Sequence, residues 1–420
     1  MRLKLNKHQE RETVFFLCFY LLVFQNPLTE YVSGVFSFVD EVVALLGVVF
    51  AVYLGFNNSK KLVVRKDTLK IVQALLVFVA CGLLANLIYQ YQPIQLVMKD
   101  LFVNMKFFLA VITGFYLFRY AKPGKKTMLL HTKICTVLLF SLLIADVLFD
   151  LFPSEGFRYG IKIRNLIFGH VTYLAGACAF LLALLTFYFE KRNLPYIVMA
   201  LILLASTTRS KALASGAAYV IVLYIVLLKQ QRMKLWQILV IGVLGIYIAW
   251  DQISFYYVEL SDRSARAVLT QTSFRIMKDY FPIGTGFGTY ASDVAGEHYS
   301  PVYVKYGFTQ VYELRKESGY LSDTFWPIII GQTGFIGLIC YLFVLVKLFL
   351  KTAQARLTDR RIYAAVIFIF IYLMISSTSE PTFCNSISIP LGMMLGYTLH
   401  LIETPQRSEG LPARERRNHE

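Results

Sequence analysis

The sequence contains few charged residues for its length. Only 16% of its 420 residues are Asp, Glu, Lys or Arg, whereas an ordinary soluble domain carries about 25%. Hydrophobic residues make up 57% of the chain, and the mean hydropathy is +0.56. Because a soluble core cannot bury this much apolar surface, the excess must face lipid. The composition therefore excludes a soluble dinucleotide-binding enzyme, a disulfide-stapled secreted domain and a disordered scaffold.

Motifs for metals, nucleotides and disulfides are also absent. The six cysteines are scattered without a Cys-x-x-Cys pair, which is typical of small core side chains. The sequence has no Asp-x-Asp, no His-Glu-x-x-His and no nucleotide-binding motif, so neither a metal, a cofactor nor a nucleotide sugar is indicated. In a membrane protein, the net charge of +16 is explained by basic loops that meet anionic lipid headgroups, and no nucleic-acid partner is expected.

Apolar runs long enough to cross a bilayer fill most of the chain. A span needs roughly 20 apolar residues, and twelve candidates are predicted: 13–37, 40–57, 68–90, 100–118, 133–150, 166–189, 194–208, 211–228, 234–250, 325–347, 362–378 and 385–402. The chain divides into spans one to nine within 1–250, a large loop over 251–324, spans ten to twelve within 325–403, and a polar tail over 404–420 that we expect to be disordered.

The distribution of Lys and Arg predicts the orientation. If the N-terminus is cytoplasmic, 28 of the 42 Lys and Arg residues fall in cytoplasmic segments, as the positive-inside rule requires. Both termini are then cytoplasmic, and the loop over 251–324 is extracytoplasmic.

This loop contains nine of the 27 tyrosines, including Tyr290. Tyrosine rings can stack on sugars and donate a hydrogen bond at a wet edge, although an interfacial aromatic belt is an alternative explanation. Residues 262–279 have the apolar spacing of an amphipathic helix, which carries Arg263, Arg266 and Arg275. The glycines that follow, Gly284, Gly286 and Gly288, allow positive φ and close backbone approach, and a tight structural turn explains them equally.

Charged residues lie at two junctions on the same predicted face. Arg209 and Lys211 separate the seventh and eighth spans with almost no loop between them, so both lie near the membrane boundary. A guanidinium suits phosphate, while snorkelling to headgroups is the alternative. Asp323 precedes the tenth span. It fits either a helix N-cap or a group that exchanges a proton with substrate.

Three local patterns together resemble the O-antigen ligase and polymerase family of bacterial envelopes. They are Arg209-x-x-x-Leu213, the run from Ser264-Ala-Arg266 to Phe281-Pro-Ile-Gly-Thr-Gly-Phe-Gly288, and Asp323-Thr324 followed after nine residues by Gly334-Phe-Ile-Gly337. The spacing of the third pattern matches that of the ligases, but Asp323 stands where the ligases have His. The resemblance covers residues 190 to 350 and the twelve-span layout.

The resemblance implies a membrane-embedded glycosyltransferase of the GT-C type. It would act without a metal in the bacterial cytoplasmic membrane, on glycans linked to undecaprenyl diphosphate at the outer leaflet. Because Asp323 replaces the ligase His, a polymerase that builds an O-antigen, capsule or exopolysaccharide is favoured over a ligase that transfers glycan to lipid A core. Membrane lipid, a flippase and a chain-length regulator are the further partners it implies.

The predicted site combines these residues. Arg209 and Arg266 would bind the diphosphate, where charge develops as the glycosidic bond breaks, and Asp323 would accept the proton of the acceptor hydroxyl. Substrate contacts are further predicted for Arg263, Arg275, Lys211, His298, Tyr290, Gly284, Gly286 and Gly288.

Three other functions remain open. A secondary transporter would show repeats, broken helices or charges at mid-membrane, and Lys106 is the main charge inside a predicted span. A lipid-linked glycan flippase is a more specific form of this alternative. A peptidoglycan polymerase is the third.

Overall fold

The chain is almost entirely helical. The computed structural model describes residues 7–57, 66–158, 160–234, 264–316 and 319–403, with six single positions between 235 and 263. Two strands, β1 (Ser154–Arg158) and β2 (Ile161–Arg164), form an antiparallel hairpin. The helices before the hairpin are α1 (Lys7–Val23), α2 (Gln25–Tyr31), α3 (Val39–Asn57), α4 (Lys66–Tyr89), α5 (Ile94–Ala121) and α6 (Lys125–Phe149).

Helices also form most of the chain after the hairpin. They are α7 (Val171–Phe187), α8 (Leu194–Ser206), α9 (Ser210–Val222) with a π-helical end (Leu223–Leu228), α10 (Ala265–Asp279), α11 (Asp293–Glu297), α12 (Pro301–Lys305), α13 (Trp326–Thr352), α14 (Arg360–Ser376) and α15 (Ser388–Glu403). We call the segment 264–325, which includes α10 to α12, the cap. The end of the helix bundle that contacts the cap is the cap face.

The protein is an all-α, membrane-embedded protein. Among the described residues, five helical stretches are long and apolar enough to cross a membrane, namely Thr68–Tyr89, Ile94–Ala121, Lys125–Phe149, Ser210–Leu228 and Trp326–Leu357. The bent pair α1 and α2, which meet at 69°, gives a sixth if counted as one span. Eleven of the twelve predicted spans coincide with helix. Most of the remaining span, 234–250, lies outside the described residues, and so does the tail over 404–420.

The centre of the bundle is formed by α5, which packs against α15 and α3. Gly114 and Gly396 let α5 and α15 approach closely, because a Cβ at either position would collide with the backbone of the other helix. A buried ion pair joins α5 to α3: Lys106 Nζ lies 2.5 Å from Asp40 Oδ2, and Gln25 Nε2 donates to the other carboxylate oxygen at 2.8 Å. The charge of Lys106 is therefore neutralised inside the bundle.

The hairpin covers the end of α6 at the cap face. Arg164 of β2 pairs with Asp146, and Lys162 pairs with Asp150 at the C-cap of α6. Acidic residues at a helix C-terminus face an unfavourable dipole, so the two cations of the hairpin compensate them.

The cap is attached to the bundle by hydrogen bonds from buried polar side chains. Asn86 of α4 accepts from Phe287 N at 2.8 Å and donates to Phe287 O at 3.0 Å. Asp100 of α5 accepts from Gly288 N at 2.9 Å. Each of these side chains satisfies backbone groups of the cap, which fixes the position of the cap on the bundle.

Helix α13 is broken at Gly334, whose φ of 63° and ψ of −157° are not helical. The break leaves backbone groups without intrahelical partners, and the cap supplies them. Thr285 N donates to Gly331 O at 3.0 Å, and Gly286 N donates to Gln332 O at 2.8 Å. Ile336 N donates to Pro282 O at 3.2 Å. We call this set of hydrogen bonds the clip.

Candidate functional site

The connection between α8 and α9 carries two of the predicted cations. Arg209 is the N-cap of α9, and Lys211 lies in its first turn. Both meet one carboxylate in the connection between α14 and α15: Arg209 Nη1 lies 2.7 Å from Glu380 Oε1, and Lys211 Nζ pairs with the same oxygen. The hydroxyl of Thr172, in the first turn of α7, also donates to this oxygen at 2.7 Å and contacts Arg209.

These charges are largely shielded from solvent. The side chains of Arg209, Lys211 and Glu380 are 17%, 12% and 10% exposed. Burial acts to raise the pKa of the Glu380 carboxyl, but Lys211 and Arg209 outweigh burial and hold this pKa below its usual range. Glu380 is therefore ionised at neutral pH.

A second ion pair joins the cap to the start of α13. Arg266, in the first turn of α10, places Nη2 2.9 Å from Asp323 Oδ2. The N-cap of α13 is Phe325, without a side-chain cap, so the structure does not support the N-cap interpretation of Asp323. Both side chains are partly exposed, which leaves Asp323 accessible to a ligand.

The two ion pairs belong to one region, because the positive charge of Arg266 acts on Lys211. We call Arg209, Lys211, Glu380, Arg266 and Asp323 the charge cluster. It contains three cations and two carboxylates from four separate parts of the chain. The guanidinium groups of Arg209 and Arg266, which are 17% and 20% exposed, are suited to bind an anion.

His170 lies beside the charge cluster and was missed by the sequence analysis. It is the N-cap of α7, and its Nδ1 accepts from Thr172 N at 3.2 Å. Its Nε2 lies 3.7 Å from Glu155 Oε1. Burial lowers the pKa of His170, and the nearby charges of Arg209 and Lys211 act in the same direction. The imidazole is thus uncharged at neutral pH, with Nε2 as its donor.

The three glycines predicted to contact substrate lie where the cap meets the bundle. Gly284, Gly286 and Gly288 all have positive φ, between 75° and 98°, and all are buried. A Cβ on Gly284 would lie 2.6 Å from Gly331 O and Gly334 N. They allow the cap backbone to approach the broken helix at Gly284 and the helices α4 and α5 at Gly286 and Gly288, so the structural-turn explanation describes them.

Tyr290, which was also predicted to contact substrate, is fully buried, and its hydroxyl donates to Leu269 O at 2.6 Å. Tyr280 and Tyr303 are buried too, whereas Tyr312 and Tyr320 are exposed. Packing accounts for the three buried tyrosines, and the sugar-contacting role stays a prediction for the exposed ones.

Two further predicted residues are exposed but lie apart from the charge cluster. Arg275 follows Arg266 by nine residues, which places it on the opposite side of α10. His298 is the C-cap of α11, beside Glu297, whose carboxylate pairs with Lys99 of α5. No contact among the described residues joins either side chain to the cluster. Arg263 lies outside the described residues.

An apolar crevice descends from the cap face between α1, α7 and α15. Its upper part is lined by Tyr173, which follows Thr172 in sequence, and its lower part by Met393 and Met394. Leu22, Phe180 and Pro390 line both parts. The crevice begins next to the charge cluster. Its lower and upper parts hold about 20 and 10 Å³, so an apolar chain enters only if the flexible methionines move apart.

Comparisons with known proteins identify no relative. No protein-family model matches the chain, and no curated protein is significantly similar to it.

Proposed function

We propose that the protein is a glycosyltransferase that polymerises repeat units linked to undecaprenyl diphosphate at the outer face of the bacterial cytoplasmic membrane. The product would be an O-antigen, a capsule or an exopolysaccharide. The observation that carries this proposal is the charge cluster, in which Arg209 and Lys211 pair with Glu380 and Arg266 pairs with the partly exposed carboxylate of Asp323.

Arg209, Lys211 and Arg266 bind the diphosphate of the donor. Guanidinium groups match phosphate oxygens with paired hydrogen bonds. During transfer, the bond between the anomeric carbon and the diphosphate oxygen breaks, and its electron pair stays on the departing polyprenyl diphosphate. Negative charge therefore grows next to these cations, which stabilise the transition state more than the ground state.

Asp323 receives the proton of the acceptor. The acceptor hydroxyl forms the new bond to the anomeric carbon and releases its proton to the carboxylate, from which the proton passes to water. Arg266 holds one oxygen of Asp323 at 2.9 Å, which orients the carboxylate. Direct displacement of this kind inverts the anomeric centre, and no metal takes part in it.

The membrane arrangement follows the proposed chemistry. Twelve spans in a GT-C-like architecture place both termini in the cytoplasm and the cap outside. The polyprenyl chain occupies the crevice between α1, α7 and α15, below the diphosphate. A flippase supplies the donor from the cytoplasmic side, and a chain-length regulator sets the extent of polymerisation. Asp323, in place of the ligase His, favours a polymerase over transfer to lipid A core.

The test measures polymer formation by the purified protein in lipid vesicles. The vesicles contain lipid-linked repeat units that were isolated from a host lacking the gene for this protein. Arg209→Ala, Arg266→Ala and Asp323→Ala should each reduce the rate by about 10²–10³. Arg275→Ala, on the opposite side of α10, is the matched control and should polymerise normally. An unchanged ladder of products at normal protein levels would remove the substituted residue from the site.

A lipid-linked glycan flippase is the second candidate. Two observations favour it, namely the break in α13 at Gly334 and the buried pair between Lys106 and Asp40, since transporters use broken helices and buried charges. The side of the membrane on which single repeat units accumulate separates the two functions. Cells without a polymerase accumulate them outside, whereas cells without a flippase retain them inside.

A further inference from the structure

Glu380 occupies the position in the charge cluster that an anionic ligand would take. A single oxygen, Oε1, receives Arg209 Nη1 at 2.7 Å, the Thr172 hydroxyl at 2.7 Å and the ammonium of Lys211. Two cations and a hydroxyl around one oxygen are the partners that a phosphate oxygen also attracts. In the empty site, the Glu380 carboxylate thus pairs with the same side chains, Arg209, Lys211 and Thr172, that would bind the diphosphate.

The surroundings of Glu380 differ from those of a sealed structural ion pair. Asp40 and Lys106, within the bundle, are only 3% and 7% exposed, whereas Arg209 beside Glu380 is 17% exposed. Glu380 also lies in the connection between α14 and α15 rather than in a helix. Its side chain can therefore turn away without disturbing a helical turn.

We propose that Glu380 holds the place of the donor diphosphate in the empty site and is displaced when the diphosphate binds. This inference rests on the proposed function. Arg209 and Lys211 must give up the Glu380 carboxylate before they bind the diphosphate. The loss of this ion pair offsets part of their attraction for the diphosphate. After transfer, Glu380 competes again for the same cations and promotes release of the polyprenyl diphosphate. Glu380 is a positioning residue, since it acts through Arg209 and Lys211.

The experiment measures the binding of inorganic diphosphate to the purified full-length protein in detergent by calorimetry. Glu380→Gln keeps the size of the side chain and removes its charge. We expect this variant to bind diphosphate about tenfold or more tightly than the wild type, which is the scale of one charge-assisted hydrogen bond. In the vesicle assay, it should lower KM and also lower kcat, because release becomes slow.

Two further variants make the result specific. Glu297→Gln removes an exposed carboxylate paired with Lys99 and should leave diphosphate affinity unchanged, which controls for net charge. Glu380→Asp keeps the charge but shortens the side chain, so its affinity should lie between those of the wild type and Glu380→Gln. If Glu380→Gln does not yield folded protein, Glu380→Asp decides the question.

The outcomes separate the two proposals. Affinity for diphosphate that is unchanged or weaker in Glu380→Gln, or in Glu380→Asp if only that variant folds, overturns the place-holding role and leaves the proposed function standing. If neither the wild type nor any Glu380 variant binds diphosphate, the diphosphate site itself is wrong, and both proposals fall together.

Discussion

Breaking the buried ion pair between Asp40 and Lys106 is expected to weaken the contact between α3 and α5. We predict that Lys106→Met strongly destabilises the protein. Removing the ammonium leaves the Asp40 carboxylate, which is only 3% exposed, with Gln25 as its remaining side-chain donor at 2.8 Å. A buried charge that loses its partner costs about 3–5 kcal/mol, which reduces the ratio of folded to unfolded protein by about 10²–10⁴.

The double variant Asp40→Asn, Lys106→Met should be more stable than either single variant. It removes both charges together, and Gln25 can still donate to the amide oxygen of the new Asn. Replacing a whole buried pair is often neutral, so we expect the double variant to lie within about 1 kcal/mol of the wild type.

Unfolding in mixed micelles with increasing SDS measures these differences in free energy, and the four proteins form a double-mutant cycle. The reasoning is refuted if the two single effects simply add in the double variant, because the charges would then not interact. A single variant as stable as the wild type would refute it as well.

Three further predictions concern the clip, His170 and the crevice. Gly334→Ala should lower the free energy of unfolding by more than about 1–3 kcal/mol, because the added Cβ would lie 2.5 Å from Gly284 N. The control Gly319→Ala, with open space around it, should change this free energy little. Equal losses of stability in the two variants would contradict the role of the clip. The pKa of His170 is lowered, so its imidazole gains a proton only as the pH falls below about 6.5. The added positive charge beside Arg209 should then raise the diphosphate affinity of the wild type relative to that of His170→Gln. A ratio of the two affinities that stays constant with pH in calorimetric titrations would contradict this prediction. Ala177 also lines the upper part of the crevice. Ala177→Phe, which fills this part, should weaken binding of farnesyl diphosphate several-fold and spare inorganic diphosphate. An equal loss for both ligands would mean that the polyprenyl chain binds elsewhere.

The helices could be located from the sequence because membrane spans are long and almost uniformly apolar. Their internal details were less accessible. The predicted span over 13–37 is bent by 69° between α1 and α2, and α13 is broken at Gly334. Both irregularities depend on tertiary partners, such as the backbone of the cap at the break, which hydropathy along the chain does not reveal.

The candidate site was predictable only where its residues lie at junctions between segments. Arg209, Lys211, Arg266 and Asp323 stand out as charges beside apolar runs. Glu380 also lies between two apolar runs, 362–378 and 385–402, but the sequence does not reveal its partners, because they lie more than 160 positions earlier in the chain.

Two residue types have a structural explanation that the sequence did not reveal. Tyr290 and the glycines at 284, 286 and 288 were predicted to contact substrate; Tyr290 packs within the cap, and the glycines lie where the cap meets the bundle. Tyrosine and glycine serve ligands and tight packing equally well. Composition cannot separate the two uses, because the difference lies in which neighbours surround the residue after folding.

The clip has a consequence for how the chain is assembled in the bilayer. Gly331 and Gln332 direct carbonyl groups toward the cap, and in hydrocarbon such groups would be costly without donors. A shortened protein without the cap would therefore insert α13 with uncompensated dipoles at membrane depth, which favours its retention by quality control. The cap is synthesised before α13, so its Gly-rich turn is already available when this helix leaves the translocon, and the two must mature as one unit.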